Sequence, residues 1–317
     1  MLCVTFSPCF HGKGDFLCAG ISAIIHFITR KVDIDSAAGH TNKQKFIRTA
    51  EKYSQGLAFH DVTSCTKQLG DVLVGKWTIG TLYRMFIPEV LEALSKVIYL
   101  DCDVVVNLDL QELWAIDMEG KSIAGAFDEI HEHTNLTPAR KLQLRFSGIK
   151  PDEYINAGVT VMDLQRIRER GQFSQIASEW LIHHQHLPLF PDQDALNAIF
   201  AGDIKFIDAK FNVYDLEQDL SGCIVHMWRG KPWAGLSGAQ HERLYWRMFT
   251  RSAWGEGLTP DELIDTLCKA ALSYKFNHKH GSQCLKRLIK GRKTWLTKKC
   301  QPIVILCNEA YHRIFSR

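Results

Sequence analysis

Short apolar runs alternate with amphipathic segments over about the first 210 residues of the chain. The runs are rich in β-branched, aromatic and Leu residues and predict strands, and the segments between them predict helices. This alternation is typical of an α/β sheet. The predicted strands cover residues 4–6, 57–62, 97–100, 122–127, 156–164, 204–207 and 223–226. The predicted helices cover residues 17–29, 40–55, 78–87, 165–170 and 193–201.

The strand predicted at residues 97–100 is apolar at every position, which suits a strand buried on both faces in a parallel sheet. Asp101 and Asp103 follow it directly, with one residue between them. Strands of this kind present functional groups at their carboxyl ends. Two carboxylates at such an end offer hard oxygen ligands for Mg²⁺ or Mn²⁺, and these ions commonly bind phosphates as well. A polar turn after the strand is the ordinary alternative.

Other polar residues lie at the ends of predicted elements. His226 ends the last predicted strand, and its imidazole would complete a cation site in a way that favours Mn²⁺ over Mg²⁺. Lys231 follows shortly after and would neutralise a phosphate bound to the same ion. Arg84 lies on the helix face directed toward the sheet edge. Asp128 follows one strand and Asn156 begins another, so that these side chains are candidates for the same site.

A further polar cluster, Asp192-Gln193-Asp194, begins the helix predicted at residues 193–201. Asp192 has the position of an N-cap in this prediction. Each residue has an ordinary structural explanation when it is taken alone, but together with the paired carboxylates they indicate one site.

The pattern changes after Trp233. Helical segments at residues 240–250 and 260–273 replace the alternation, and residues 275–317 carry eleven Lys or Arg and a single acidic residue. Within 283–299 the apolar residues fall on one helical face: Leu285, Leu288, Ile289, Trp295 and Leu296. A basic helix of this layout is suited to the interface of an anionic membrane.

We therefore divide the chain into an α/β domain at residues 1–238 and a C-terminal helical, basic region at 239–317. We expect the segment 275–317 to contact an anionic membrane surface. Nucleic acid is not expected as a partner, because the basic residues share their helix with an apolar stripe. Packing of this helix on the core, with a solvated basic face, is the alternative.

Composition favours a cytoplasmic protein. The 317 residues, 46% of them hydrophobic, are enough for a full core. Ten cysteines without a CxxC pair are typical of a reducing compartment. Apolar stretches stay well below the roughly 20 residues that span a membrane, and the first residues lack the basic region of a signal peptide. We expect a protein bound peripherally to the inner face of the plasma membrane.

Four ordered segments resemble the retaining glycosyltransferases of family 8. They are residues 97–106, 154–159, 191–197 and 226–233. The resemblance covers roughly residues 1–235. It implies a GT-A nucleotide-sugar-binding fold with a mixed, mostly parallel sheet, a UDP-sugar donor, and Mn²⁺ as the cofactor with Mg²⁺ as the alternative.

The resemblance also implies roles for ten residues. Those expected to bind the metal are Asp101, Asp103 and His226. Those expected to bind the donor are Arg84, Asp128, Asn156, Ala157 and Lys231. Those expected to act in catalysis are Asp192 and Gln193. The metal and Lys231 would stabilise the negative charge on departing UDP, and the amide oxygen of Gln193 would stabilise positive charge at the anomeric carbon.

The sequence departs from the family pattern in three places. Residues 7–14 replace the turn that usually contacts uracil, the region 31–35 is short, and the spacing from His226 to Lys231 is one residue tighter than usual. The sequence thus predicts transfer of glucose or galactose from a UDP-sugar to a lipid-linked saccharide, as in lipopolysaccharide core synthesis. The alternatives are a haloacid-dehalogenase-like phosphatase with Asp101 as nucleophile and a catalytically weakened membrane- or nucleic-acid-binding relative.

Overall fold

A computed structural model gives the fold of this chain. It describes residues 2–7, 22–29, 37–70, 72, 74, 77–128, 138–184, 188–214, 219–227, 231–234 and 239–268. The loop at 8–14, the region 31–35 and the basic segment 275–317 lie outside the described residues, so the predictions made for them stay predictions.

Seven strands form one mixed sheet in the order β3-β2-β1-β4-β7-β6-β8. They are β1 (Leu2–Ser7), β2 (Ser22–Thr29), β3 (Gly56–Asp61), β4 (Lys96–Leu100), β6 (Ile123–Phe127), β7 (Ile155–Asp163) and β8 (Ile204–Ile207). β1 and β7 run opposite to the other five strands, which share one direction. A second sheet pairs β5 (Val104–Asn107) with β9 (Cys223–His226). The predicted α/β class with a mixed sheet is confirmed.

Helices surround the sheets. The α-helices are α1 (Ala37–Lys52), α2 (Thr63–Thr66), α3 (Ile87–Val90), α4 (Leu110–Trp114), α5 (Pro138–Phe146), α6 (Leu164–Glu169), α7 (Phe173–His183), α8 (Pro191–Ile199) and α9 (Gln240–Arg251). Short 3₁₀ helices are Lys67–Leu69, Ile79–Phe86, Pro151–Glu153, Ala209–Phe211 and Pro232–Ala234. A further helical segment covers 260–268. Within the described part of the chain, the helices are too short or too polar to cross a membrane.

β4 lies in the middle of the large sheet and separates two hydrophobic clusters. Val97 and Tyr99 point into one cluster, and Ile98 and Leu100 point into the other. The strand is therefore buried on both faces, as predicted. Its neighbours β1 and β7 are both antiparallel to it, so the expectation of parallel neighbours was wrong. A continuous apolar run reports burial on both faces and does not report strand direction.

The helix predicted at residues 17–29 was also wrong in its described part, which forms strand β2. Ile28 packs in the core on one face of the sheet, whereas Phe27 contacts Phe46 of α1 on the other. An apolar run covered on both sides looks the same in sequence for a buried strand and a buried helix.

Two predicted helix boundaries need correction, and both concern proline. The helix predicted at 78–87 is a 3₁₀ helix followed by α3, and Pro88 lies in the first turn of α3 instead of ending a helix. Similarly, α8 begins at Pro191, and Asp192 lies in its first turn and is not the N-cap. Proline is favoured in a first helical turn because the missing N–H has no intrahelical partner there.

α9 covers the small sheet. Leu244 of α9 packs in a cluster with Val105 of β5 and Val225 of β9. The small sheet is in turn continuous with the large one through the residues between β4 and β5. These connecting residues include Asp101 and Asp103. The paired carboxylates therefore lie where the chain passes from the large sheet to the small one.

Candidate active site

One cavity of about 320 Å³ lies at the carboxyl end of β4. It is lined by Trp77, Thr81, Arg84, Asp101, Asp103, Asp128, Asn156, Gly158, Phe190, Asp192, Gln193, His226 and Lys231. Nine of the ten residues predicted from the sequence are among them. The tenth, Ala157, contributes backbone groups next to the cavity. Because β7 runs antiparallel to β4, the beginning of β7 meets the end of β4 here, and the Asp101 N–H donates to the Gly158 carbonyl at 2.7 Å.

Asp101, Asp103 and His226 form a compact group of candidate metal ligands. One ligand atom from each lies within 4.8 Å of the others. The pairing of Val104 with His226 between β5 and β9 brings the imidazole to the carboxylates, and Nε2 of His226 lies 3.4 Å from Oδ1 of Asp103. Two carboxylates and one imidazole are a donor set that suits Mn²⁺, so these residues fit a divalent cation.

Asn212, which the sequence analysis did not single out, orients His226. Nδ1 of His226 lies 3.0 Å from Oδ1 of Asn212. Because an amide oxygen only accepts, Nδ1 donates to Asn212, and Nε2 is the ring nitrogen that faces the carboxylates and would bind a metal. Asn212 also donates to Oδ1 of Asn156 at 3.0 Å. Hydrogen bonds through Asn212 therefore connect His226, a candidate metal ligand, with Asn156, a candidate donor-binding residue.

Gly158 allows the His226 ring to approach the strand. A Cβ at this position would lie 2.3 Å from Cε1 of His226 and 2.8 Å from Nδ1. No larger residue fits without moving the imidazole. The glycine is therefore needed for the position that His226 takes in the candidate metal site.

Lys231 lies beside the metal-ligand group. Its Nζ donates to Oδ2 of Asp103 at 2.5 Å. Burial by itself would raise the pKa of the Asp103 carboxyl, but hydrogen bonds and charge from His226 and Lys231 hold this pKa below its ordinary value. Asp103 is thus an anion prepared to accept a cation, with Lys231 close enough to share an anionic ligand of that cation.

Arg84 connects two of the carboxylates that line the cavity, those of Asp101 and Asp192. Its guanidinium donates to Asp101 at 2.8 Å, to Asp192 at 2.9 Å and to the Ala157 carbonyl at 2.5 Å. The Tyr99 hydroxyl also donates to Asp101, at 2.5 Å. Burial raises the pKa of Asp192, Arg84 opposes that rise, and the charge of Asp101 adds to it. Arg84 therefore fixes the positions of both carboxylates.

Gln193 is held by three hydrogen bonds. Its Oε1 accepts from the Ala157 N–H at 3.0 Å. Its Nε2 donates to Oδ2 of Asp128 at 2.7 Å and to the Tyr154 hydroxyl at 3.0 Å. The side chains of Asp128 and Gln193, both buried, thus form one polar wall of the cavity. Fixed carboxylate and amide groups of this kind are suited to binding sugar hydroxyls.

An aromatic wall completes the cavity. The rings of Trp77 and Phe190 have centroids 5.7 Å apart, and the Trp77 indole N–H donates to the Leu189 carbonyl at 3.0 Å. The sequence analysis missed both residues, because isolated aromatic residues are usually part of a core. It also assigned no role to Tyr99 and Tyr154, although both lie inside segments that carried the family resemblance.

The fold and the cavity define a class: an α/β protein with a candidate divalent-cation site beside a basic side chain in a polar cavity. The family model described as "Glycosyl transferase family 8" matches residues 22–233. The chain belongs to this family, as predicted. Membership in this family favours a glycosyltransferase over the phosphatase alternative.

Named relatives agree with this assignment. The chain is 27% identical over 213 residues to a Haemophilus influenzae protein provisionally named a glycosyltransferase, covering 66% of this chain and 63% of the relative. It is 32% identical over 176 residues to "Probable galacturonosyltransferase-like 10" of Arabidopsis thaliana, covering 48% and 47%. The chain thus spans less than two thirds of the length of these relatives.

Solved structures show the same fold. The galactosyltransferase LgtC, solved with donor and acceptor sugar analogs, matches with a TM-score of 0.59 at 22% identity, covering 72% of this chain and 85% of LgtC. The bifunctional glycosyltransferase WbbM matches with a TM-score of 0.58 at 20% identity, covering 74% and 44%. The predicted GT-A fold is confirmed.

Proposed function

We propose that this protein is a retaining glycosyltransferase that moves glucose or galactose from a UDP-sugar to a lipid-linked saccharide, as in lipopolysaccharide core synthesis. The observation that carries the donor part of the proposal is one cavity holding the Asp101, Asp103 and His226 group, Lys231, and the Gln193–Asp128 wall. A metal group and a lysine suit a diphosphate, and the polar wall suits the hexose attached to it.

Charge in the cavity favours a neutral hexose over a hexuronic acid, although some relatives are named for galacturonosyl transfer. The described lining residues include four carboxylates, from Asp101, Asp103, Asp128 and Asp192. Arg84 already donates to two of them, and Lys231 donates to a third. A uronate carboxylate would enter this acidic pocket without a cationic partner among the described residues, at an electrostatic cost.

In the proposed reaction, the bond between the anomeric carbon and the UDP phosphate breaks. Asp101, Asp103 and His226 would hold Mn²⁺, which when bound supplies charge stabilisation to the departing diphosphate. Lys231 would stabilise the same negative charge. Oε1 of Gln193 would face the positive charge that develops at the anomeric carbon, while Arg84 keeps Asp192 and Asp101 in place. The acceptor hydroxyl oxygen would bond to the anomeric carbon on the face that UDP leaves and give its proton to the departing phosphate, and attack from this face gives retention.

The lipid-linked acceptor and the membrane location rest on sequence. The basic, apolar-striped segment 275–317 supports docking to anionic lipid at the cytoplasmic face of the plasma membrane. The division into a catalytic domain at 1–238 and a C-terminal region at 239–317 follows from the same pattern. Because α9 packs on the small sheet, the proposed membrane contact belongs to residues 275–317 of that region.

A donor screen tests the proposal. Purified full-length chain is incubated with UDP-glucose, UDP-galactose or UDP-galacturonic acid, with and without Mn²⁺, and released UDP is measured. The expected result is Mn²⁺-dependent release from one of the two hexose donors and little from the uronic acid. Hydrolysis of a generic phosphate ester without UDP release would instead favour the phosphatase alternative.

A further inference from the structure

Asp194, next to Gln193 on α8, is the centre of a buried network. Its side chain is almost completely shielded from solvent. Oδ1 accepts from the Arg140 guanidinium at 2.8 Å and from the Tyr154 hydroxyl at 2.5 Å. Oδ2 accepts from the Leu189 N–H at 2.9 Å. One carboxylate thus ties together α5, the start of β7 and the segment before α8.

Tyr154 carries this network to Gln193. Burial, together with the charge of Asp194, raises the pKa of the Tyr154 hydroxyl well above its ordinary value, against the effect of Arg140. The hydroxyl keeps its proton and donates it to Asp194. The hydroxyl oxygen therefore acts as an acceptor toward Gln193, whose Nε2 donates to it at 3.0 Å.

Carboxylates at both ends of the chain of hydrogen bonds fix its direction. Asp194 accepts at one end and Asp128 accepts at the other, so the NH₂ group of Gln193 must lie between Tyr154 and Asp128. A flipped amide would place its oxygen 2.7 Å from Oδ2 of Asp128 with no proton between them. It would also turn NH₂ toward the Ala157 N–H, which now donates to Oε1.

We infer that Tyr154, held by Asp194 and Arg140, is a positioning residue that sets the orientation of the Gln193 amide in the sugar pocket. The inference rests on the proposed function, in which Oε1 of Gln193 faces the anomeric carbon. Tyr154 touches neither the reacting atoms nor the metal group, and it acts only through Gln193.

Tyr154→Phe tests the inference. It removes the hydroxyl but keeps the ring that packs with Leu144 and Ile149. The amide then loses one of the two acceptors that select its orientation. We expect kcat for Mn²⁺-dependent UDP-hexose turnover to fall about tenfold, the loss of one net hydrogen bond, with donor KM nearly unchanged. The matched control is Tyr53→Phe, which removes a hydroxyl bonded to the Arg251 carbonyl far along the sheet.

A double-mutant cycle separates positioning from a general structural effect. In the Gln193→Ala background, Tyr154→Phe is expected to change kcat no further, because the group it positions is gone. The same fold-loss of kcat in both backgrounds would overturn the inference. So would unchanged kcat in the single Tyr154→Phe variant.

A second measurement does not require turnover. Failure of the inference can therefore be distinguished from failure of the proposed function. With ¹⁵N-labelled glutamine, the side-chain NH₂ resonance that disappears in Gln193→Ala is assigned to Gln193. We expect Tyr154→Phe to shift this resonance and to speed its hydrogen exchange, while Tyr53→Phe leaves it in place. An unchanged Gln193 resonance in Tyr154→Phe overturns the inference, even where the donor screen succeeds. Absence of UDP-hexose turnover in the wild-type chain overturns the proposed function alone.

Discussion

At the scale of single residues, Asp103 takes part in most of the charge interactions of the candidate metal site. It is largely buried and lies beside both His226 and Lys231. Each neighbour stabilises the carboxylate form, so a cation entering the group meets a charged ligand that is already ionised. The same side chain links the proposed metal to the proposed diphosphate-binding lysine.

Asp103→Asn is expected to reduce Mn²⁺-dependent UDP release by more than about 100-fold, because a metal ligand loses its charge. The fold is expected to persist, since the amide is close in size to the carboxylate. UDP release and thermal unfolding by circular dichroism measure the two effects. Asp109→Asn is the matched control, because that residue caps α4 away from the cavity and Asn caps helices as well as Asp does. A Mn²⁺-dependent, active Asp103→Asn variant would contradict the metal assignment.

Gly158→Ala is expected to weaken Mn²⁺ binding at least about tenfold, because the new Cβ displaces the His226 ring. Titration calorimetry with Mn²⁺ measures this directly. Gly80→Ala serves as a control, since its Cβ would meet only Thr78 Oγ1, at 3.4 Å, and the Tyr83 ring beyond it. Equal Mn²⁺ affinity in Gly158→Ala and wild type would show that His226 is not a ligand.

At the scale of elements, neighbouring strands bring together residues that are far apart in the sequence. β2 and β3 are parallel, and their pairing places Nδ1 of His26 2.9 Å from Nε2 of His60. Burial and then the charge of His60 lower the pKa of His26 to about 4. Burial also lowers the pKa of His60. The fold therefore favours neutral imidazoles on these two strands.

This pair makes stability depend on pH. The unfolded chain has a His26 pKa near 6.5, so as pH falls from about 6.5 to about 4 the unfolded state binds the proton first and stability decreases. We expect a loss of about 2 kcal/mol between pH 7.5 and pH 5, reduced in His26→Gln. Urea unfolding at pH 7.5 and pH 5 measures it, with exposed His183→Gln as the control. The same pH dependence in His26→Gln and wild type would remove His26 as its source.

Strands and helices could be predicted correctly where apolar residues lay on one face of the element, or where polar residues marked its ends. β4 and β8 agree closely with the prediction, and α9 begins at the predicted residue. The prediction failed at β2, which is apolar on both faces, and at Pro88 and Pro191, which lie in the first turns of helices. At β2 the deciding factor was which neighbours cover the segment, and a local pattern contains no such information. At the two prolines the deciding factor was local, because proline is favoured in a first helical turn.

At the scale of the whole molecule, the basic segment 275–317 sets the predicted location. Replacing Lys286, Arg287 and Lys290 by Gln is expected to weaken binding to anionic vesicles about 100-fold in a flotation assay, since each basic residue near the surface contributes about 1 kcal/mol. Neutral vesicles are the matched lipid control, and UDP release without vesicles should stay unchanged. Equal flotation of variant and wild type, or binding to neutral vesicles alone, would contradict docking through this segment.

The sequence by itself determined the family, the α/β class and most of the candidate site. Asp101 and Asp103 lie together in the chain, and Asp192 and Gln193 do too, so local spacing was enough to find them. Only the tertiary structure decided how distant residues meet: Arg84 with Asp192, Asn212 with His226, and Tyr154 with Asp194 and Gln193. These contacts depend on strand order and helix packing, and the direction of each hydrogen bond depends on which partner can only accept.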